Sequence, residues 1–173
     1  GMENYRHLFS PDTELGRWLA TRNTMLRIGR NLFVHAGLSA RLLERDLEMD
    51  TLNARMSEGL YRTSKERRED PTLEFLYRSA GPVWYRGMVC TDEKYDPLTP
   101  EQTDALLRRY DADRLLIGHT IFPDISTFHD GRVIAVNVQN ERNRRKNRGR
   151  AVLIEGSRIS VVGNRGVKRV LEE

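Results

Sequence analysis

Short apolar runs separated by glycines and polar residues recur along the chain and predict an α/β fold. Residues 24–28 and 32–34 flank Gly29-Arg30-Asn31 and predict a β-hairpin. A strand is predicted at residues 114–117, where Arg114 leads into the apolar run Leu115-Leu116-Ile117 that is typical of a strand buried on both faces. Three further strands, which we expect to form an antiparallel meander, are predicted at residues 133–138, 151–155 and 159–162.

Helix starts are indicated at several hydroxyl residues. Ser10 before Pro11 and Thr99 before Pro100 both place a capping hydroxyl ahead of a first-turn proline, and Ser39 precedes a leucine-rich stretch. Residues 50–79 look helical, with a charged surface turn at 65–70. The apolar positions expected to pack inward are Leu15, Trp18, Leu19, Leu42, Leu43, Leu47, Leu52, Met56, Leu60, Leu106, Leu107 and Tyr110. The pattern therefore predicts a mixed β-sheet with flanking helices.

The length of 173 residues fits one domain, predicted at 2–173, with Gly1 ahead of Met2 as a cloning remnant. One cysteine excludes a disulfide within the chain and suits a reducing cytosol. No apolar run approaches the roughly 20 residues that a membrane helix needs. We therefore expect a cytoplasmic protein with no membrane partner.

The net charge of +4 comes largely from one basic loop at residues 139–149. Its cations are Arg142, Arg144, Arg145, Lys146 and Arg148. Two interpretations stay open: a mobile solvated loop, or a surface that attracts anionic substrates. The loop has no aromatic residue, which argues against stacking on single-stranded nucleic acid.

Two predicted strands end at a histidine, His35 after 32–34 and His119 after 114–117. A histidine at the end of a strand is either a metal ligand or a hydrogen-bonded structural residue, since neutral imidazole binds Zn, Mn and Fe. Arg86 lies in a glycine-bounded loop at 81–87 beside two aromatic residues. It is either a phosphate-binding arginine or a surface side chain next to packed rings.

These segments resemble the calcineurin-like metallophosphatases. Phe-Val-His-Ala-Gly-Leu-Ser at 33–39 and Gly-His-Thr at 118–120 are similar to the last two motifs of that family, and residues 81–87 resemble its arginine-bearing segment. Segments 12–19 and 130–136 also resemble the bacterial Shewanella-like branch of the phosphoprotein phosphatases. The resemblance implies a fold equivalent to the second half of the calcineurin-like two-sheet sandwich.

The same resemblance implies roles for three residues. His35 and His119 would be ligands of one of two divalent metal ions, Mn, Fe or Zn, and Arg86 would bind the phosphate. The chain contains no Gly-Asp and no Asn-His dipeptide, so the first three motifs of that family are absent. We therefore expect an incomplete metal site, unassigned catalytic residues and little activity of this chain alone. A cysteine-based phosphatase mechanism is set aside. It would need an arginine six residues after the nucleophile, whereas Asp96 lies six residues after Cys90.

Three explanations of the missing motifs are considered: a truncated C-terminal half, a short protein that kept only a binding role, and a missing half on a separate polypeptide. The first predicts exposed apolar surface that would favour a homo-oligomer, and the third predicts a partner that carries the N-terminal half. The expected function is a phosphoesterase acting on phosphoserine, phosphothreonine or phosphotyrosine, or on a dinucleoside polyphosphate. The alternative is a non-catalytic module that binds phosphopeptides or nucleic acid through Arg86 and the basic loop at 139–149.

Overall fold

The computed structural model describes residues 2–166 and 168–172, and its α/β architecture confirms the predicted mixed sheet with flanking helices. The α-helices of these residues are α1 Met2–Leu8, α2 Glu14–Ala20, α3 Arg41–Arg45, α4 Met49–Gly59, α5 Ser64–Arg68, α6 Pro71–Tyr77, α7 Pro100–Arg109 and α8 Asn140–Arg145. The strands are β1 Met25–Ile28, β2 Asn31–Val34, β3 Arg114–Ile117, β4 Ser126–Phe128, β5 Val133–Ala135, β6 Arg150–Glu155, β7 Arg158–Gly163 and β8 Lys168–Glu172.

The larger sheet has the strand order β1-β2-β3-β5-β4. Strands β2, β3 and β5 are parallel, while β1 and β4 pair antiparallel at the two edges. The predicted hairpin of β1 and β2 is confirmed, and Gly29 makes its turn with a positive φ of 58°. Because the three central strands run in the same direction, their carboxyl ends lie at one edge of the sheet.

The predicted meander is wrong for its first strand. Strand β5 joins the larger sheet beside β3, whereas β6 and β7 form a separate antiparallel sheet with β8. The physical reason is that all three residues of β5 are buried. A run without an exposed face fits the interior of a covered sheet better than a meander with one solvated face.

The larger sheet separates two apolar cores. On one face, Leu115 and Ile117 of β3 pack in a cluster with residues of the helices, including Leu42, Leu52 and Leu106. On the other face, Leu116 and Ile134 pack against residues of β7. Alternate side chains of β3 therefore pack into different cores, which explains its continuous apolar run. Each fully buried leucine contributes about 1.5 to 3 kcal/mol to the stability of the folded chain.

One predicted helix start is confirmed and two are wrong. The Thr99 hydroxyl accepts from the Gln102 N–H, and the Gln102 side chain accepts from the Thr99 N–H, so the capping box at α7 is present. Helix α2 begins after Thr13 rather than Ser10, because the Thr13 hydroxyl accepts from the Gly16 N–H at 3.0 Å. The Ser39 hydroxyl donates to the Ala80 carbonyl instead of capping α3.

Other local predictions are also corrected. Leu15 and Trp18 are exposed rather than packed inward, and the charged turn at 65–70 contains helix α5 with its own capping box at Thr63. The basic loop contains helix α8. Gly1, the predicted cloning remnant, lies outside the described residues. Within the described ranges, every helix is too short or too polar to cross a bilayer.

Candidate functional site

The two histidines predicted at strand ends lie next to each other. Val34 and Ile117 are paired in the parallel register of β2 and β3, and the Gly118 N–H donates to the His35 carbonyl at 2.8 Å. His35 Nε2 stands 3.3 Å from His119 Nδ1. Residues 84 positions apart are therefore brought into contact because adjacent parallel strands end at the same edge.

His119 has an unusual backbone and an unpaired ring nitrogen. Its φ is +58°, in the left-handed region that non-glycine residues rarely adopt. Its Nε2 atom is buried and has no hydrogen-bond partner among the described residues. The indole of Trp84 meets the imidazole edge-on, with ring centroids 5.5 Å apart. Strained backbone and an orphaned polar atom are features found at ligand-handling sites.

The surroundings of His119 disfavour its protonated form. Burial lowers the pKa of His119, and electrostatic interaction with Arg86 and with His35 lowers it further. The imidazole is therefore neutral near pH 7, with one nitrogen able to donate a hydrogen bond and the other able to accept one.

This lowered pKa makes a prediction about acid stability. The unfolded chain binds the proton more readily than the folded chain, so the stabilisation is complete above the unfolded pKa of about 6.5 and is lost as pH falls toward the folded pKa. In urea unfolding, we expect the free energy of unfolding to fall more steeply from about pH 7 to pH 5 for the wild type than for His119→Asn. Asparagine tolerates the left-handed backbone. Parallel curves for the two proteins would refute this prediction.

The loop at 81–87 is tied to the sheet and carries Arg86 to the histidines. The Pro82 carbonyl accepts from the Ala36 N–H at 2.9 Å, and the Gly87 carbonyl accepts from the Leu98 N–H at 3.0 Å. Arg86 Nη1 donates to the Thr120 hydroxyl at 3.2 Å. Backbone hydrogen bonds therefore hold both ends of the loop, and one side-chain hydrogen bond joins the arginine to the segment that carries His119.

Two aromatic residues of this loop have opposite roles. Tyr85 is 2% exposed, its hydroxyl donates to the Asp96 carbonyl, and burial raises its pKa, so it anchors the loop as a neutral phenol. Trp84 is 55% exposed beside His119. From the sequence, both rings were packing residues in one of the two alternatives for Arg86, and Thr120 had no assigned role. The only sequence signal for Trp84 and Thr120 was their position close to Arg86 and His119.

The predicted pair of metal ions is corrected. His35 and His119 do come together, but no group of three or more His, Cys, Asp or Glu side chains able to hold a metal occurs among the described residues. Two imidazoles without carboxylates do not balance the charge of two divalent cations. The prediction that this chain holds part of a binuclear site with Mn, Fe or Zn is therefore wrong.

The remaining predicted residues lie outside this arrangement. The cations Arg142, Arg144, Arg145, Lys146 and Arg148 are exposed on or just after α8. The only described ion pair among them joins Arg145 to Glu141. Cys90 is half-buried and donates its backbone N–H to the Arg86 carbonyl. The described contacts thus join His35 to His119 and Arg86 to Thr120, the residue after His119, and leave the basic segment apart.

Comparisons with known proteins were made at three levels. No family model matches the sequence, and no curated protein matches it. Among solved structures, a cold-active protein tyrosine phosphatase is similar with a TM-score of 0.87 and 29% identity, covering 98% of this chain and 48% of that one. A point mutant of a cold-active protein tyrosine phosphatase, and the cold-active enzyme of a psychrophilic Shewanella species, each match with a TM-score of 0.86, 28% identity and 97% coverage of this chain. This chain spans about half the length of these structures.

These matches correct the assignment made from the motifs. The similar structures are described as protein tyrosine phosphatases, whereas the motifs predicted the C-terminal half of a calcineurin-like metallophosphatase and half of its two-sheet sandwich. That assignment is withdrawn. The comparisons also give no support to a homo-oligomer.

Proposed function

We propose that this chain carries the phosphoryl-binding site of a protein tyrosine phosphatase, with Arg86 binding the phosphoryl oxygens of phosphotyrosine. The observation that carries the proposal is the guanidinium of Arg86, held by Thr120 beside the contacting pair His35 and His119. The similarity to cold-active protein tyrosine phosphatases over nearly the whole chain supports the reaction class.

Arg86 has the chemistry that phosphate binding requires. Its side chain is half-buried, and it forms no ion pair with a carboxylate of the described residues. Guanidinium has five N–H donors in a planar fork, and the described hydrogen bond to Thr120 involves only Nη1. The remaining donors and the unneutralised charge suit two parallel hydrogen bonds to a phosphoryl group.

The histidine pair supplies groups that handle a proton. His119 is neutral, and its unpaired Nε2 either donates to a phosphoryl oxygen or accepts from a bound water, depending on the tautomer. His35 is exposed beside His119. We assign His35 to proton donation: as a water oxygen bonds to phosphorus and gives its proton to neutral His119, the bond from phosphorus to the phenolic oxygen breaks and the protonated imidazole of His35 gives its proton to the leaving phenolate.

Trp84 favours an aromatic phosphate ester over an aliphatic one. Its exposed indole lies two residues before Arg86 in the sequence and beside His119 in space, so it offers an apolar surface near the phosphate position. A phosphotyrosine ring can pack on this surface, whereas the short side chain of phosphoserine cannot reach it. Aromatic pairs gain about 0.5 to 1.5 kcal/mol beyond area burial, so a preference of about three- to tenfold is expected.

Titration calorimetry with phosphotyrosine, phosphoserine and inorganic phosphate tests the proposal. We expect the wild type to bind phosphotyrosine about three- to tenfold more tightly than phosphoserine. The Trp84→Ala variant should lose this preference and bind inorganic phosphate within about twofold of the wild type. The matched control is Trp18→Ala, since Trp18 is a comparably exposed indole on α2. A wild type without preference, or equal losses in both variants, would contradict the proposal.

A non-catalytic phosphate-binding module is the second candidate. It is favoured by Arg86, which forms no ion pair with a described carboxylate and can hold a phosphate without any catalytic group. Phosphate release from a phosphotyrosyl peptide separates the two candidates. Phosphate release that is abolished both by His35→Ala and by Arg86→Ala supports the phosphatase. Binding of the peptide that requires Arg86, with no phosphate release, supports the module.

A further inference from the structure

A cleft of about 530 Å³ opens beside Arg86, and its lining includes neither histidine of the pair. Its charged lining is strongly biased toward cations. Four basic side chains, Arg41, Arg78, Arg86 and Lys94, face one carboxylate, that of Asp96. The cleft is therefore an electropositive extension of the proposed phosphate position.

The cations other than Arg86 come from three separate segments of the chain. Arg41 is the first residue of α3, Arg78 follows α6, and Lys94 belongs to the short turn at 93–95. Like charges that converge from distant parts of a fold repel one another, and an anionic ligand relieves that repulsion. The convergence points to a ligand that carries several negative charges.

The existing partners of these cations are weak and replaceable. Arg78 pairs with Glu74 at 3.5 Å and Lys94 pairs with Asp92 at 2.8 Å, and both members of each pair are exposed to solvent. Arg41 forms no ion pair with a carboxylate in the described part of the chain. Exposed ion pairs contribute little to stability, so a ligand carboxylate can take over these cations at small cost.

We propose that this cleft binds acidic residues next to the phosphotyrosine of a peptide, so that the preferred substrates are acidic phosphotyrosyl peptides. The inference rests on the proposed function, because it takes Arg86 as the position of the phosphate. Trp84 and Tyr95 line the same cleft and provide apolar walls for the peptide chain. The mixture of cations and aromatic walls suits a peptide, and the basic segment at α8 does not line the cleft.

The test compares short phosphotyrosyl peptides of equal length with acidic or neutral flanking residues. We expect the wild-type chain to bind the acidic peptide about tenfold more tightly at low salt, with the preference shrinking as salt is added. The double variant Arg41→Ala/Lys94→Ala should reduce the preference to about twofold or less. Its affinity for the neutral phosphopeptide should stay within about twofold of the wild type.

Two controls keep the outcomes distinct. Arg108→Ala removes an exposed cation of α7 that does not line the cleft, and it should preserve the full preference. An unphosphorylated acidic peptide reports on the cleft alone. If it binds through Arg41 and Lys94 while phosphate adds nothing, the proposed function fails and the cleft inference stands. If the phosphopeptides bind equally well, or if an oligonucleotide displaces the acidic peptide more effectively than a second acidic peptide does, the inference is overturned.

Discussion

Replacing Arg86 by alanine is expected to weaken phosphotyrosine binding by roughly 10- to 100-fold, because hydrogen bonds to a charged group contribute about 1.5 to 3 kcal/mol. The Arg86→Lys variant should recover only part of this loss, since an ammonium keeps the charge but cannot form two parallel hydrogen bonds in one plane. Titration calorimetry of the three proteins with phosphotyrosine measures both effects.

A stability measurement and two control variants test whether the loss of binding comes from the guanidinium itself. Arg86 donates one described side-chain hydrogen bond, to Thr120, so its removal should change the free energy of unfolding by less than about 1 kcal/mol. Thr120→Val removes that bond while leaving the guanidinium in place and should weaken binding by no more than about tenfold. Arg108→Ala again serves as the matched loss of an exposed arginine. Binding by Arg86→Ala within about twofold of the wild type would show that the phosphate lies elsewhere.

Substituting Gly81 by alanine is expected to lower the free energy of unfolding by about 3 kcal/mol or more, because no space exists for a methyl group at this position. A Cβ atom built on Gly81 would lie 2.0 Å from the Leu76 carbonyl oxygen and 2.9 Å from that of Phe75. Both are backbone atoms at the end of α6, so relief requires the helix end or the loop at 81–87 to move.

The same substitution should also impair the site, since the loop that moves carries Arg86. We expect phosphotyrosine binding by Gly81→Ala to weaken even at temperatures where the chain remains folded. Gly118→Ala is a graded comparison, because its Cβ would approach the His35 carbonyl only to 3.2 Å and should cost about 1 kcal/mol. Urea unfolding measures both variants. Equal stabilities of the two would mean that the end of α6 yields easily and that Gly81 does not position the loop.

Local signals predicted much of the architecture. The hairpin at Gly29-Arg30-Asn31, the capping box at Thr99 and the buried strand at 114–117 could all be read from short windows, because turn geometry, capping and burial depend on neighbouring residues. The caps at Ser10 and Ser39 were misplaced, since several hydroxyls compete for each helix start and tertiary contacts choose among them. The Ala80 carbonyl, for example, engages Ser39.

The histidines and the arginine were recognised from sequence, but their surroundings were not. That His35, Arg86 and His119 are chemically capable residues at strand ends and in an ordered loop follows from residue type and spacing. The contact of His35 with His119, the orphaned Nε2 of His119 and the position of Trp84 depend on which strands lie side by side. Strand order is a long-range property, so no window of sequence contains it.

The cations of the chain also divide into those that the sequence pattern identified and those that only the fold brings together. The cations of 139–149 were identified from the sequence because their charges are close together in the chain. Arg41, Arg78 and Lys94 were not identified, because they are scattered along the chain. Folding brings these three into one cleft beside Arg86 and leaves α8 outside it. Residue type and local pattern thus specify the elements and the available chemistry, whereas packing of the elements decides which charges converge, because convergence requires distances that only the folded chain sets.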